Sequence, residues 1–295
     1  MLEELKACPV CHGTSFKDFI TCKDFTVSHQ DFSIVSCKTC EFKFTNPRPE
    51  TAGLASYYES EEYISHANKR TNLINTAYKL ARSFTLKGKL RIVNTHSIKG
   101  VLLDVGCGTG EFLNTCKTDG WQISGVEPNN GAKAKAEQLN KEKFYHSIFD
   151  IDRNESFHAI TLWHVLEHLP NLQQSLKKIN ELLTQDGTVF IAVPNSNSYD
   201  AQHYQEYWAA YDVPRHLFHF EQKTINKLFK ENNFILQKII PMKLDSYYVS
   251  LLSEKYKNGA NNYLSALVQG FKSNQWAKKN NNNYSSLIYV VRKKI

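Results

Sequence analysis

The stretch that most constrains this chain is Gly100–Gly110, which reads GVLLDVGCGTG. Its apolar run, Val101–Val105, predicts a buried parallel strand. Three glycines follow at alternate positions, Gly106, Gly108 and Gly110, so the backbone can turn tightly and approach a ligand without a Cβ in the way. The pattern then predicts a helix over Glu111–Asp119 closed by Gly120, and a second strand, Trp121–Val126, ending in Glu127. Glu127 lies 19 residues after Gly108. That is near the ~20 at which a doubly wound fold places an acid on ribose hydroxyls. The GxGxG spacing, with Asp104 just ahead of it, departs from the GxGxxG of nicotinamide enzymes. No Lys-Ser/Thr pair follows that would hold a triphosphate.

Helices and strands keep alternating downstream. The pattern predicts a helix over Ala132–Leu139, a third strand over Phe144–Phe149 and a fourth over Phe157–Trp163. A helix over Leu172–Leu183, a fifth strand over Thr188–Val193 and a helix over Thr224–Asn232 follow. Phe234–Ile240 and Ser285–Arg292 supply the sixth and seventh strands. This is an α/β signature. DVGCGTGEF followed by GVEP resembles motifs I and II of class I S-adenosylmethionine-dependent methyltransferases. The resemblance implies a seven-stranded Rossmann-like sheet with helices on both faces. It implies that Gly106, Gly108 and Gly110 pass the methionine portion of S-adenosylmethionine. Asp104 would then lie near its amino group, and Glu127 on its ribose. Asp150, after the third strand, stands where such enzymes often keep an acid for the adenine, with Asp152 beside it. Asp104 has a second reading, as a carboxylate that braces the loop.

Near the start, Cys8-Pro-Val-Cys11 and Cys37-Lys-Thr-Cys40 form two CxxC pairs. Two such knuckles can complete a tetrahedral zinc site, and metal binding would offset the small core of so short a segment. Cys8, Cys11, Cys37 and Cys40 would all be thiolate ligands, which makes the zinc structural. Asp31–Val35 would give one strand of a hairpin between the knuckles. Disulfides or redox pairs are the alternative. His12, Cys22 and His29 are spare ligands, and Cys107 and Cys116 read as small core residues.

Acceptor chemistry belongs at the C-terminal ends of the fourth and fifth strands. His164-Val-Leu-Glu167-His168-Leu-Pro170 follows the fourth. As a string it matches an inverted zinc-protease motif, but it begins at a strand's end and Pro170 interrupts any helix. VLEHL at this point is similar to ubiquinone-biosynthesis methyltransferases. There the histidine and glutamate lie near the acceptor, and some members use a divalent metal. His164 either touches cofactor or acceptor or is a packed histidine. Pro194–Phe220, long for a loop, contains WAAYDVPRHLFHF, with Tyr211, Asp212, Arg215, His216 and His219. This string resembles the acceptor side of zinc-ribbon-bearing methyltransferases from saccharide and secondary-metabolite clusters. The catalytic candidates are His216, His164 and Tyr211, with His216 favoured as base. Arg215 either binds an acidic group or braces Asp212.

With 295 residues, the chain allows one large domain plus an appendage, or two domains. Its expected organisation is a zinc ribbon over 1–48, a helical bridge over 49–98 with a helix near Ala67–Leu86, and a methyltransferase domain over 99–295 with a helical insertion at about 245–280. The absence of a long apolar run or a signal-like start predicts a cytoplasmic protein without a membrane span. The net charge of +7 is carried by scattered residues, which permits an anionic partner without demanding one. The leading function is therefore methyl transfer to oxygen, or else carbon, of a small-molecule acceptor: a saccharide, phenol or lipid-linked precursor. An RNA methyltransferase is the alternative, with Phe16, Phe19, Phe25, Phe42 and Phe44 around the knuckles as a stacking surface. A partner protein that has lost turnover is a third reading, which the intact glycines and Glu127 oppose.

Overall fold

Near the start, β1 (Leu2–Glu3), β2 (Phe16–Lys23), β3 (Asp31–Cys37), β4 (Lys43–Thr45) and β5 (Arg48–Pro49) surround the four cysteines. β2, β3 and β4 form an antiparallel meander, while β1 pairs with β5. The computed structural model describes residues 1–58 and 72–294, with side chains of the first long helix described from residue 84 onward. That helix, α1 (Asn72–His96), carries the bridge; Tyr63 and residues 67–71 of its expected helix lie outside the described residues.

The central sheet contains β6 (Val101–Val105), β7 (Gln122–Val126), β8 (Phe157–Trp163) and β9 (Leu183–Pro194). A two-residue strand, β10 (Phe218–His219), lies outside it. β11 (Phe234–Pro241) and β12 (Ser286–Lys293) complete the sheet, in the order β11-β12-β9-β8-β6-β7. β7, β6, β8 and β9 run parallel, β12 lies antiparallel to β9, and β11 pairs antiparallel to β12 and so runs with the other four. Runs such as VFIAV in β9 and LIYVV in β12 are buried on both faces. Continuous apolar strands of this kind need helices on each side.

The helices are α2 (Glu111–Thr118), α3 (Asn130–Asn140), α4 (Leu172–Leu182), α5 (Tyr199–Tyr204), α6 (Gln222–Glu231), α7 (Asp245–Asn258) and α8 (Tyr263–Lys279). The sheet has six strands among the described residues, not the seven expected. Phe144–Phe149 contributes a single bridge, Tyr145 to Val126, because Ser147 starts a capped turn at Ile148–Asp150 that lifts the chain off the sheet.

Two features position the site. Strand order reverses between β6 and β8, and the crevice beyond their C-terminal ends is where open α/β sheets bind ligands. β10 joins the cysteine module's sheet instead of the central one, pairing Phe218 with Phe44 and His219 with Lys43. Phe42, Phe44 and Cys37 thus share one apolar cluster with Leu217, Phe218 and Leu162.

Candidate functional site

The turn after β6 requires its glycines. Gly106, Gly108 and Gly110 all have positive φ, at 72°, 56° and 82°. A Cβ on Gly106 would meet Val165 at 2.5 Å, and one on Gly110 would meet Asn140 at 2.6 Å and the Ala136 backbone at 3.0 Å. Gly108 differs, because a Cβ there would meet no atom within 4 Å. Its amide donates to Glu127 Oε2 at 2.8 Å, while Asn129 N–H donates to Oε1 at 2.9 Å. Glu127 thereby locks the end of β7 onto the glycine loop. Asp104 is buried and accepts from Thr161 Oγ1 at 2.6 Å. Burial pushes its carboxyl up to about 7, although Thr161 and Lys89 pull it down.

A second cluster lies after β8. His164 adopts φ 58°, and the turn Leu166–His168 presents Glu167 and His168. Glu167 is fully buried, and neither carboxylate oxygen has a hydrogen-bond partner. It lies 3.4 Å from His164 Nδ1, and His164 Nε2 lies 3.2 Å from Asp245 Oδ2. Burial disfavours the His164 cation, but Asp245 and Glu167 outweigh it and hold the imidazole up to about 9. Burial and His216 push His168 down to about 4. Glu167 is held below the usual carboxylate range by His164, His216 and His168 despite its burial.

His216 completes this cluster from the long loop. Its ring lies edge-on to His168, with centroids 4.6 Å apart. Nδ1 is 2.9 Å from the Ala210 carbonyl, which can only accept, so Nδ1 carries a proton and Nε2 is the ring nitrogen left to exchange one. Nε2 lies 3.9 Å from Asp212 Oδ2. Glu167, His168 and His216 each offer a ligand atom, all within 4.8 Å of one another, so they could hold a divalent cation.

The four cysteine sulfurs also lie within 4.8 Å of one another. Cys8 Sγ is 3.6 Å from Cys40 Sγ, and Cys11 Sγ is 3.5 Å from Cys37 Sγ. A tetrahedron with Zn–S bonds of ~2.3 Å has edges of about 3.8 Å, close to these separations. All seven cysteines are unbridged. The module meets the histidine cluster directly. Thr45 Oγ1 donates to the His216 carbonyl at 2.8 Å, and Thr45 N–H to the Leu217 carbonyl at 3.0 Å. Arg215, buried, donates to Asp212, to the Tyr57 carbonyl and to Asp24 Oδ1. Asp24 also accepts from the amides of Thr26, Val27 and Ser28. Burial raises its pKa, but these donors and Arg215 hold it down at about 2.

Residues 76–239, more than half of the chain, match the family described as methyltransferase domain. The chain belongs to this methyltransferase family. A Geobacillus sp. (strain WCH70) relative, named only as a methyltransferase, is 31% identical over 150 residues, 47% of this chain and 60% of that protein. A ubiquinone biosynthesis O-methyltransferase of Bradyrhizobium diazoefficiens is 28% identical over 123 residues, covering 39% and 44%. The chain therefore spans less than two thirds of these relatives. Among solved structures, magnesium protoporphyrin IX methyltransferase from Synechocystis PCC 6803 superposes with a TM-score of 0.53 at 10% identity, over 83% of this chain and all of that one. That likeness establishes the methyltransferase fold.

Within this methyltransferase frame, Gly106, Gly108, Gly110, Asp104 and Glu127 come together at one end of the sheet. Asp150 does not join them: it is exposed, and its Oδ2 accepts the Ser147 amide as a cap. Tyr211 packs on Trp208, Phe19 and His219, and burial pushes its phenol far up, so it builds a wall and is no ready base. Arg215 takes the bracing role. Phe42 and Phe44 are fully buried and Phe25 stacks on Tyr256 at 4.4 Å, so these rings are packing, not a stacking surface for bases. Sequence reasoning missed Asp24, whose only signal is an Asx turn, Asp-Phe-Thr-Val-Ser. It also missed Asp245, and it did not place Tyr58, whose hydroxyl is 2.9 Å from His168 Nδ1.

Proposed function

We propose that this protein transfers a methyl group from S-adenosylmethionine to an oxygen of a small acceptor, a saccharide, phenol or lipid-linked precursor, with His216 taking the acceptor's proton. The observation that carries the reading is the fixed tautomer of His216. Nδ1–H is spent on the Ala210 carbonyl, leaving Nε2 as a base beside Glu167 and His168. Glu167, already ionised, would stabilise the imidazolium that forms. His164, held protonated, is suited to donate a hydrogen bond and unsuited to act as the base.

The residues present fit the cofactor. Gly108 presents backbone with open space where a side chain would stand, and Asp104 sits buried beside it. Trp163 Nε1, next to His164 at the end of β8, is a buried donor without a partner. The Gly106–Gly110 backbone and Asp104 would hold the methionine portion and Glu127 the ribose. When bound, the cofactor supplies an electrophilic methyl group on a sulfonium. The chain supplies alignment of the acceptor, a water-poor setting and removal of one proton. Cys8, Cys11, Cys37 and Cys40 would hold a structural zinc.

The test is transfer of radiolabel from S-adenosylmethionine into a host extract separated into small-molecule, lipid, RNA and protein fractions. Label in the first two supports the proposal. Label in RNA would replace it with a nucleic-acid methyltransferase.

A further inference from the structure

Helix α8 is built inside out. Its buried side consists of the small residues Ala266, Gly270, Ser273 and Ala277 with Asn274. They let it lie close on α7, where a Cβ on Gly270 would come within 2.9 Å of the Tyr247 backbone. Ser246 Oγ donates to the Gly270 carbonyl, and Ser273 Oγ to the buried Asp200. The outer side is apolar. Leu264, Leu267, Val268 and Phe271 fall at i, i+3, i+4 and i+7, and are 75%, 58%, 43% and 55% exposed. Of the fifteen large apolar side chains exposed among the described residues, seven lie between Leu244 and Phe271. A soluble surface scatters such residues singly, and a concentration of them marks a docking face.

The charge on this hairpin has one sign. Residues 243–279 contain six lysines and two acids. Both acids are turned inward: Asp245 faces His164, and Glu254 is buried on Tyr204 and Ser265. Lys243, Lys257, Lys272, Lys278 and Lys279 are exposed. None of these five makes an ion pair among the described residues. An apolar stripe on a hairpin whose exposed charges are all lysines complements a surface that is anionic outside and apolar within. Two copies of this chain meeting across the stripe would set lysine against lysine.

We propose that the α7–α8 hairpin docks on an anionic lipid bilayer, with Leu264, Leu267, Val268 and Phe271 entering the acyl boundary and the lysines resting on the headgroups. The hairpin lies in the plane of the surface, since no helix among the described residues is long and apolar enough to cross it. The inference does not depend on the methyl-transfer reading, and its test uses no activity.

The test is flotation of the full chain with vesicles of phosphatidylcholine, alone or mixed with phosphatidylglycerol. Binding to the mixed vesicles is expected, falling about tenfold on phosphatidylcholine alone and about tenfold in the L264S/L267S/F271S variant. K272Q/K278Q/K279Q should lose the preference for the anionic vesicles. Because all six side chains are exposed, both variants should keep the wild-type unfolding midpoint, which separates lost docking from lost folding. Absence of wild-type binding to either vesicle overturns the proposal. So does a wild-type dimer in sedimentation that L264S/L267S/F271S splits into monomers, which would make the stripe a contact between copies.

Discussion

Gly108 and Gly110 share a left-handed backbone but not their surroundings, and that difference separates folding from binding. Gly110→Ala adds a Cβ against Asn140 and the Ala136 backbone as well as left-handed strain. It should cost about 2–4 kcal/mol in urea unfolding. Gly108→Ala carries the strain alone, about 1–2 kcal/mol, yet should weaken S-adenosylmethionine binding at least tenfold by calorimetry. Asp104, raised to about 7, should bind the cofactor's ammonium only when ionised. Affinity should therefore climb between pH 6 and pH 8, and Asp104→Asn should flatten that rise. His164 has the opposite consequence for stability. Its folded pKa of about 9 exceeds the ordinary 6.5, so the stabilisation from Asp245 and Glu167 is complete below 6.5 and lost as pH rises through 9. The gap in unfolding midpoint between the wild type and His164→Gln should close over that window. A gap that stays constant would separate His164 from those carboxylates.

At the scale of elements, the cysteine module and the loop Pro194–Phe220 form one structure. β10 belongs to the module's sheet, and Thr45 fixes the backbone at His216 and Leu217. Stripping metal with a chelator should therefore lower kcat far more than it lowers cofactor affinity, because the glycine loop lies on the other sheet. Equal losses in both would show that the module braces the whole fold. Asp24→Asn leaves Arg215 buried with one carboxylate fewer and should cost about 3 kcal/mol in thermal or urea unfolding. The sequence made the local parts of this arrangement visible. Alternate glycines and paired cysteines carry their geometry within a few residues. The contacts of Arg215 with Asp24 and of His168 with Tyr58 span 191 and 110 residues, and no local pattern encodes them. The missing strand has a similar cause, since the apolar run at Phe144–Phe149 reads as extended until the Ser147 cap diverts it.

Over the whole molecule, one end of the sheet carries two adjoining clusters. Asp104 stands near the end of β6, the glycine loop and Glu127 follow β6 and β7, and the Glu167–His168–His216 cluster follows β8, walled by the cysteine module. The hairpin α7–α8 reaches the second cluster through Asp245 and His164 and carries the apolar stripe outside. The fold class and the grouping of Asp104, the glycine loop and Glu127 were legible because that half of the chain obeys strand–turn–helix rules in sequence order. The half that holds Pro194–Phe220 was legible only as a string of suggestive side chains. Choosing among them needed the tautomer of His216, the burial of Tyr211 and the bracing of Arg215. The most direct measurement is single-turnover methyl transfer by wild type and His216→Gln into the labelled acceptor fraction, alongside calorimetry of cofactor binding. A rate loss of about 100-fold or more is expected in His216→Gln, with cofactor affinity unchanged. An unchanged rate in His216→Gln would contradict it.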